Sequence, residues 1–180
     1  MDRLYQQGKI TYVGSSNFPG WAIAQANERA LNQQRMGLVC EQGLYNLIER
    51  RAELEVLPAC LQYGVGLIPW SPLAGGLLAG GSNAPGRRQS STVQEARRTR
   101  AEQLQGFEAL CADLGETPSN VALAWLLHQP GVTATIIGPG TVDQLTNTLS
   151  VPDLMLNAET LDNIDNIFPP CGAAPEAYAW

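Results

Sequence analysis

A chain of 180 residues, 44% of them hydrophobic, fits one domain with ample apolar surface for a packed core, which excludes disorder as its default state. A formal charge of −6 argues against a nucleic-acid partner, and no apolar run approaches the roughly 20 residues of a membrane span. Met1-Asp2-Arg3-Leu4-Tyr5 lacks the apolar core of a signal peptide, so a soluble, cytoplasmic protein is expected, and the spacing of Cys40, Cys60, Cys111 and Cys171 supports neither zinc nor a disulfide framework.

Residues Asp2 to Gln7 read as the end of a helix stopped by Gly8. Ile10 to Gly14 is a short β-prone run closed by Ser15-Ser16-Asn17-Phe18, and Pro19-Gly20-Trp21 opens a helical pattern to about Asn32. Leu38 to Gln42 reads as the next strand, and Glu53 to Tyr63 as a helix with Leu54, Leu57 and Leu61 on one face, ended by Gly64. The strand Val65 to Trp70 runs into Ser71-Pro72-Leu73-Ala74-Gly75-Gly76. In that turn an indole could hold a flat ring, and Ser71 with the following amides could hold an anion.

A polar loop is expected from Ala79 to Arg100, carrying Arg87, Arg88, Arg97, Arg98 and Arg100. Helices follow over Ala101 to Leu114, with Leu104, Phe107, Leu110, Cys111 and Leu114 on a stripe, and over Pro118 to His128, capped by Thr117. Val132 to Ile137 reads as a strand ending at Gly138-Pro139-Gly140. Thr141 and Gln144 form a capping box for a helix to about Leu149, a last helix with Leu161, Ile164 and Ile167 follows Asn157, and the tail from Pro169 is expected to be loose. Strand and helix alternate four times, as in an α/β protein with a parallel sheet. A doubly wound sheet and part of a (β/α)8 TIM-type barrel both fit. The turn Gly14-Ser15-Ser16-Asn17 supplies no dinucleotide glycine fingerprint, which favours the barrel, of which four units are the C-terminal half.

Taken together, four stretches resemble the aldo-keto reductase family over nearly the whole chain. Gly8 to Phe18 looks like the family's fifth strand and Ser-Asn-Phe turn. Glu41-Gln42 with Tyr45-Asn46 is similar to the sixth strand, Trp70-Ser71-Pro72-Leu73 to the seventh, and Ile136-Ile137-Gly138 with Thr141 and Gln144 to the eighth. The resemblance implies NADPH lying across the C-terminal strand ends, with Ser16, Asn17 and Gln42 on the carboxamide and Trp70 stacked on the ring. It also implies Ser71, Pro72, Leu73 and Gly75 around the pyrophosphate, and Gly138, Thr141, Gln144 and Asn147 toward the adenosine. Where the family places an Arg on the 2′-phosphate and an Asn near the adenine, this chain has Gly140 and Thr148, so a preference for NADP over NAD is not assured. The arginine-rich loop is a candidate to fold over the cofactor, or else a solvated loop.

The resemblance further implies carbonyl reduction in which a Tyr donates the proton with Asp, Lys and His in support, all upstream of the Ser-Asn-Phe turn. Lys9 and His128 belong to the N-terminal face of the sheet, and Tyr45, at the right face, has no cation within sequence reach. No catalytic residue is therefore assigned. The expectation is an NAD(P)H-dependent aldehyde or ketone reductase by kinship, inactive as this chain alone and needing self-association or a complementing half-barrel. The alternatives are a non-catalytic nucleotide-binding or assembly module and an inactive truncated product.

Overall fold

The computed structural model describes residues 1–81 and 91–172. Its sheet is wholly parallel, in the order β1 (Gly14–Ser16), β2 (Cys40–Leu44), β3 (Gly66–Trp70), with Ser16 beside Gln42 and Gln42 beside Ile68. Strand order follows chain order with no reversal, as successive β/α units require, and no switch point of a doubly wound sheet occurs among these strands.

Between and before the strands run α1 (Asp2–Gln6), α2 (Gly20–Asn32) and α3 (Val56–Tyr63). After β3 come a 3-10 turn, Ala74–Ala79, and then α4 (Ser91–Thr99), α5 (Ala101–Asp113) and α6 (Pro118–His128). Toward the C-terminus lie α7 (Val142–Thr148) and α8 (Ala158–Ile167).

Several sequence expectations shift. The first strand is Gly14–Ser16 rather than 10–14, which leaves Tyr12 exposed ahead of it. The helix expected from Glu53 begins at Val56, because Pro58 has no N–H and is tolerated only within a first turn. Its buried face is Leu57 and Cys60, while Leu61 points outward. The second half of the expected polar loop is helix α4, whose Arg97 is tied to Glu108 of α5 at 2.8 Å. Arg87 and Arg88 lie outside the described residues, as does the tail from residue 173.

Residues 132–137 do not form a regular strand. They run beside β3 through three bonds, Leu67 N–H to Gly131 O, Thr133 N–H to Leu67 O and Ile136 N–H to Pro69 O. The return bond that a ladder would take from position 69 is missing because Pro69 has no N–H to donate.

Burial alternates along β2 and β3. Glu41, Gly43, Leu67 and Pro69 are buried on one face, while Gln42, Leu44 and Ile68 are half-buried and Trp70 is exposed on the other. The main core joins Tyr45, Leu67, Leu78, Phe107, Trp125 and Ile164, and α6 is buried over Val121–Leu126. Ile23, Cys60 and Val65 form a second core beneath β3. One face of the sheet is thus packed, and the face carrying Ser16, Gln42 and Trp70 is open.

Candidate functional site

Among the described residues, three of the four non-glycine positions with positive φ follow strand ends on one side of the sheet: Asn17 (φ 57) after β1, and Ser71 (φ 54) and Ala74 (φ 49) after β3. Left-handed backbone at such positions costs free energy and persists only where neighbours over-determine it. At Asn17 those neighbours are visible. Glu41, fully buried on β2, accepts the Ser15 hydroxyl and the Phe18 N–H (3.0 Å), which clamps the turn from both sides.

At Ser71 the clamp is Asn46. Its Nδ2 donates to Ser71 O at 3.0 Å, while its Oδ1 accepts the N–H groups of Ile48 and Glu49. Both clamping residues lie in stretches that carry the family resemblance, yet sequence reasoning misses their roles. A carboxylate and an amide inside otherwise apolar stretches are the signal that could have found them.

The clamped turns bring four of the expected cofactor residues into one hydrogen-bonded group. Trp70 Nε1–H donates to Asn17 Oδ1 at 2.9 Å, Asn17 Nδ2 donates to Ser16 Oγ at 3.2 Å, and Ser16 Oγ lies 3.1 Å from Gln42 O and 3.2 Å from Gln42 Oε1. The group is uncharged. Trp70 is 36% exposed, so a ring can still lie against it.

The turn after β3 behaves differently from the expected open cradle. The Gly75 N–H reaches Ser71 Oγ at 3.3 Å, and the N–H groups of Ala74 and Gly76 go to Ser71 O and Leu73 O. Pro72 is buried beneath the turn. At Gly75, φ 67 rather than space demands glycine, since an added Cβ would meet nothing closer than Val93 at 4.0 Å.

The remaining expected residues stand apart from this group. A Cβ added at Gly138 would meet nothing within 4 Å, and α7 buries no residue. Thr141 Oγ1 accepts the Gln144 N–H at 3.2 Å, and Gln144 Oε1 accepts the Gly140 N–H at 2.7 Å. The capping box therefore forms, with its return bond one residue earlier than the usual N-cap N–H. Asn147 is exposed. Among the described residues, no hydrogen bond joins this end to the Trp70 group.

A cleft of about 480 Å3 lies between the loops after β1 and β2, lined by Phe18, Glu41, Glu49, Arg51 and Glu55 among others. It shares Asn17 with the hydrogen-bonded group but is not lined by Ser16, Gln42 or Trp70.

Beneath the site Arg50 is buried, donating to Glu53 and Asp165 at 2.6 Å each and to Phe168 O at 2.7 Å, with its guanidinium 5.0 Å from the Trp125 ring. Burial alone would lower the Arg50 pKa, but the bonds to Glu53 and Asp165 raise it. Tyr45, the one tyrosine expected at this face, is fully buried with its hydroxyl donated to Glu53 at 2.8 Å. Burial first and Glu53 second push its pKa far above the ordinary phenol value, which unfits it as a proton donor near neutrality. His128 bridges Ala124 O and the Leu156 N–H at the end of α6, and Lys9 precedes β1. Neither approaches the group.

Comparison with known proteins adds length and kinship. Residues 1–168 match the model of the aldo/keto reductase family. The chain is 49% identical to an uncharacterized oxidoreductase, YrpG, of Bacillus subtilis over 97% of its own residues and 54% of that protein. It is 31% identical to a putative voltage-gated potassium channel subunit beta of Schizosaccharomyces pombe, over 92% of this chain and 52% of that one. It is 28% identical to versiconal hemiacetal acetate reductase of Aspergillus parasiticus, over 97% and 53% respectively. The chain thus spans about half the length of the curated relatives it matches. With the motifs in place at three strand ends and the family model covering 168 of 180 residues, the chain belongs to the aldo-keto reductase family.

Proposed function

We propose that this chain is the cofactor-holding half of a (β/α)8 oxidoreductase that reduces aldehydes or ketones with NADPH or NADH. The observation that carries the reading is the convergence of Trp70, Asn17, Ser16 and Gln42 on one open face. A flat exposed indole beside uncommitted amide hydrogens fits a pyridine carboxamide, one part for the ring and one for its substituent. The bound dinucleotide would supply the hydride. This chain's own residues would orient the ring with Trp70 and Asn17 and hold the phosphates near Ser71, Pro72, Leu73 and Gly75, where the N–H groups of Ala74, Gly75 and Gly76 would have to leave their bonds within the turn. The adenosine would lie toward Gly138, Thr141, Gln144 and Asn147.

The proton belongs to a second half. Tyr45 is committed to Glu53, and general acid catalysis is typically worth roughly 10²–10⁴-fold, so this half alone is expected to turn over slowly or not at all. Parallel sheets are normally covered on both faces, and here Leu44, Ile68 and Trp70 lie on an open one. Among the described residues no strand pairs with the outer edge of β1, and Ile136 and Ile137 of the segment 132–137 are exposed. A complementing half-barrel, or a second copy of this chain, would cover that face and both edges. Gly140 offers no side chain to a 2′-phosphate, so NAD and NADP forms are expected to bind within about ten-fold of one another, the loss of one charge-assisted contact.

Titration of the chain with NADPH should quench tryptophan fluorescence, and Trp70→Ala should abolish the change. Absence of binding at millimolar cofactor would sink the reading. Supplying the other half of a full-length relative should then restore cofactor oxidation by an aldehyde panel. Binding without any turnover after complementation would instead favour a nucleotide-responsive assembly module, for which the similarity to a protein named as a channel subunit is the supporting observation.

A further inference from the structure

The hydrogen bonds at the strand ends all run one way, and one atom sets their direction. An indole N–H can only donate. The 2.9 Å bond from Trp70 therefore turns the oxygen of the Asn17 amide toward the indole and leaves its nitrogen facing Ser16. With a Ser16 lone pair occupied by that nitrogen, the hydroxyl hydrogen must pass on to Gln42, whose O and Oε1 are both within reach.

A primary amide has nearly isosteric ends and would otherwise adopt either orientation. Here inversion would set N–H against N–H. The left-handed backbone of Asn17, clamped through Glu41, holds the amide where the indole can reach it. The hydrogens left over, one on Asn17 Nδ2 and two on Gln42 Nε2, are donors, and the open side of the group therefore offers N–H to whatever approaches.

We propose that the edge of Trp70, apart from its stacking face, positions Asn17: the indole N–H fixes the polarity of the Ser16–Asn17–Gln42 group so that it selects a ligand carrying a carbonyl oxygen beside a flat ring. This rests on the pyridine dinucleotide reading above and assigns the N–H a task that a phenyl ring at the same place could not perform.

The test is a double-mutant cycle by calorimetric titration of the chain with NADPH and with 2′-phospho-ADP-ribose, which lacks the pyridine ring. Trp70→Phe keeps an aromatic face and should weaken NADPH about five-fold, the size of one hydrogen bond, while leaving 2′-phospho-ADP-ribose unchanged. In an Asn17→Ala background the same change should have no further effect. Equal losses with and without Asn17 would mean that the indole acts by stacking alone and would overturn the proposal. Nitrogen-15 spectra of the ligand-free chain separate this from the underlying reading: Asn17→Ala should shift the Trp70 indole N–H signal, identified by its loss in Trp70→Phe. An indifferent signal overturns the positioning role by itself, whereas a responsive signal in a chain that binds no NADPH sinks the dinucleotide reading and the proposed ligand with it.

Discussion

The two ends of the expected cofactor path are built by opposite means. At the Trp70 end, partners are distant in sequence: Trp70 bonds Asn17, Asn46 bonds Ser71 and Glu41 bonds Phe18, each across more than twenty residues. At the α7 end, Thr141 with Gln144 and Gln144 with Gly140 are neighbours within four residues, and no side chain of the helix is buried. The first end is rigid only because the sheet exists. The second draws its hydrogen bonds from within four residues, and its short exposed helix has little else to hold it. A ligand spanning both would meet a preformed site for its ring and a soft one for its adenosine.

The contrast can be tested hardest through cysteine reactivity. Burial pushes the Cys60 thiol up to about 11 and Cys111 up to about 12, from an ordinary value of 9.0. At pH 8 their thiolate fractions should fall roughly hundred-fold or more below that of a free thiol, so exposed Cys171 should label first and Cys60 and Cys111 last. Half-exposed Cys40 lies on the same side of β2 as Gln42. It should label at an intermediate rate and become protected once a complementing half covers the sheet. Equal rates for all four would show that the core is not closed. The same shifts carry a sign for stability: the protonated thiols favour the fold fully below pH 9, and that contribution is lost as pH rises through 11 to 12.

Arg50→Ala should lower stability by about 3 kcal/mol in denaturant melts, because Glu53 would stay mostly buried without its partner. The share from Asp165 should be small, since that carboxylate is half-exposed. Asn46→Ala removes the acceptor of the Ile48 N–H and one of two partners each from the Glu49 N–H and the Ser71 carbonyl, which keep the Asn46 carbonyl and the Ala74 N–H. It should cost about 2 kcal/mol and speed hydrogen exchange in the turn after β3 while sparing α7. Thr141→Ala should cost about 1 kcal/mol at most, loosening α7 in carbon-13 chemical shifts without moving the Trp70 signals. If Thr141→Ala did disturb Trp70, the two ends would be coupled and the contrast between them wrong.

Much of the scaffold is legible because its signals are local. Thr117 accepts the Asn120 N–H, Asn157 accepts the Thr160 N–H and Gly64 ends α3 in a left-handed conformation, each through atoms within a few residues. The segment 91–99 reads as loop because its sequence is polar overall, with an apolar stripe of only Val93 and Ala96, and the packing of those two on the core comes to light only in three dimensions. Residues 132–137 read as a strand from their own composition, although the proline that interrupts the ladder belongs to the neighbouring strand.

What the sequence determined by itself was the three paired strands and most of the helices in their order, the caps at Thr117, Thr141 and Asn157, the strand-end motifs and, through them, the family. Backbone conformation and capping depend on atoms only a few residues apart, so short spacings carry that information. Tertiary structure alone decided that Glu41 and Asn46 hold the two strained turns, that Tyr45 is spent on Glu53, and that the Trp70 edge meets Asn17. Those contacts join residues brought together by burial and sheet pairing, and a hydrogen bond is selective only once its partners are held at bonding distance.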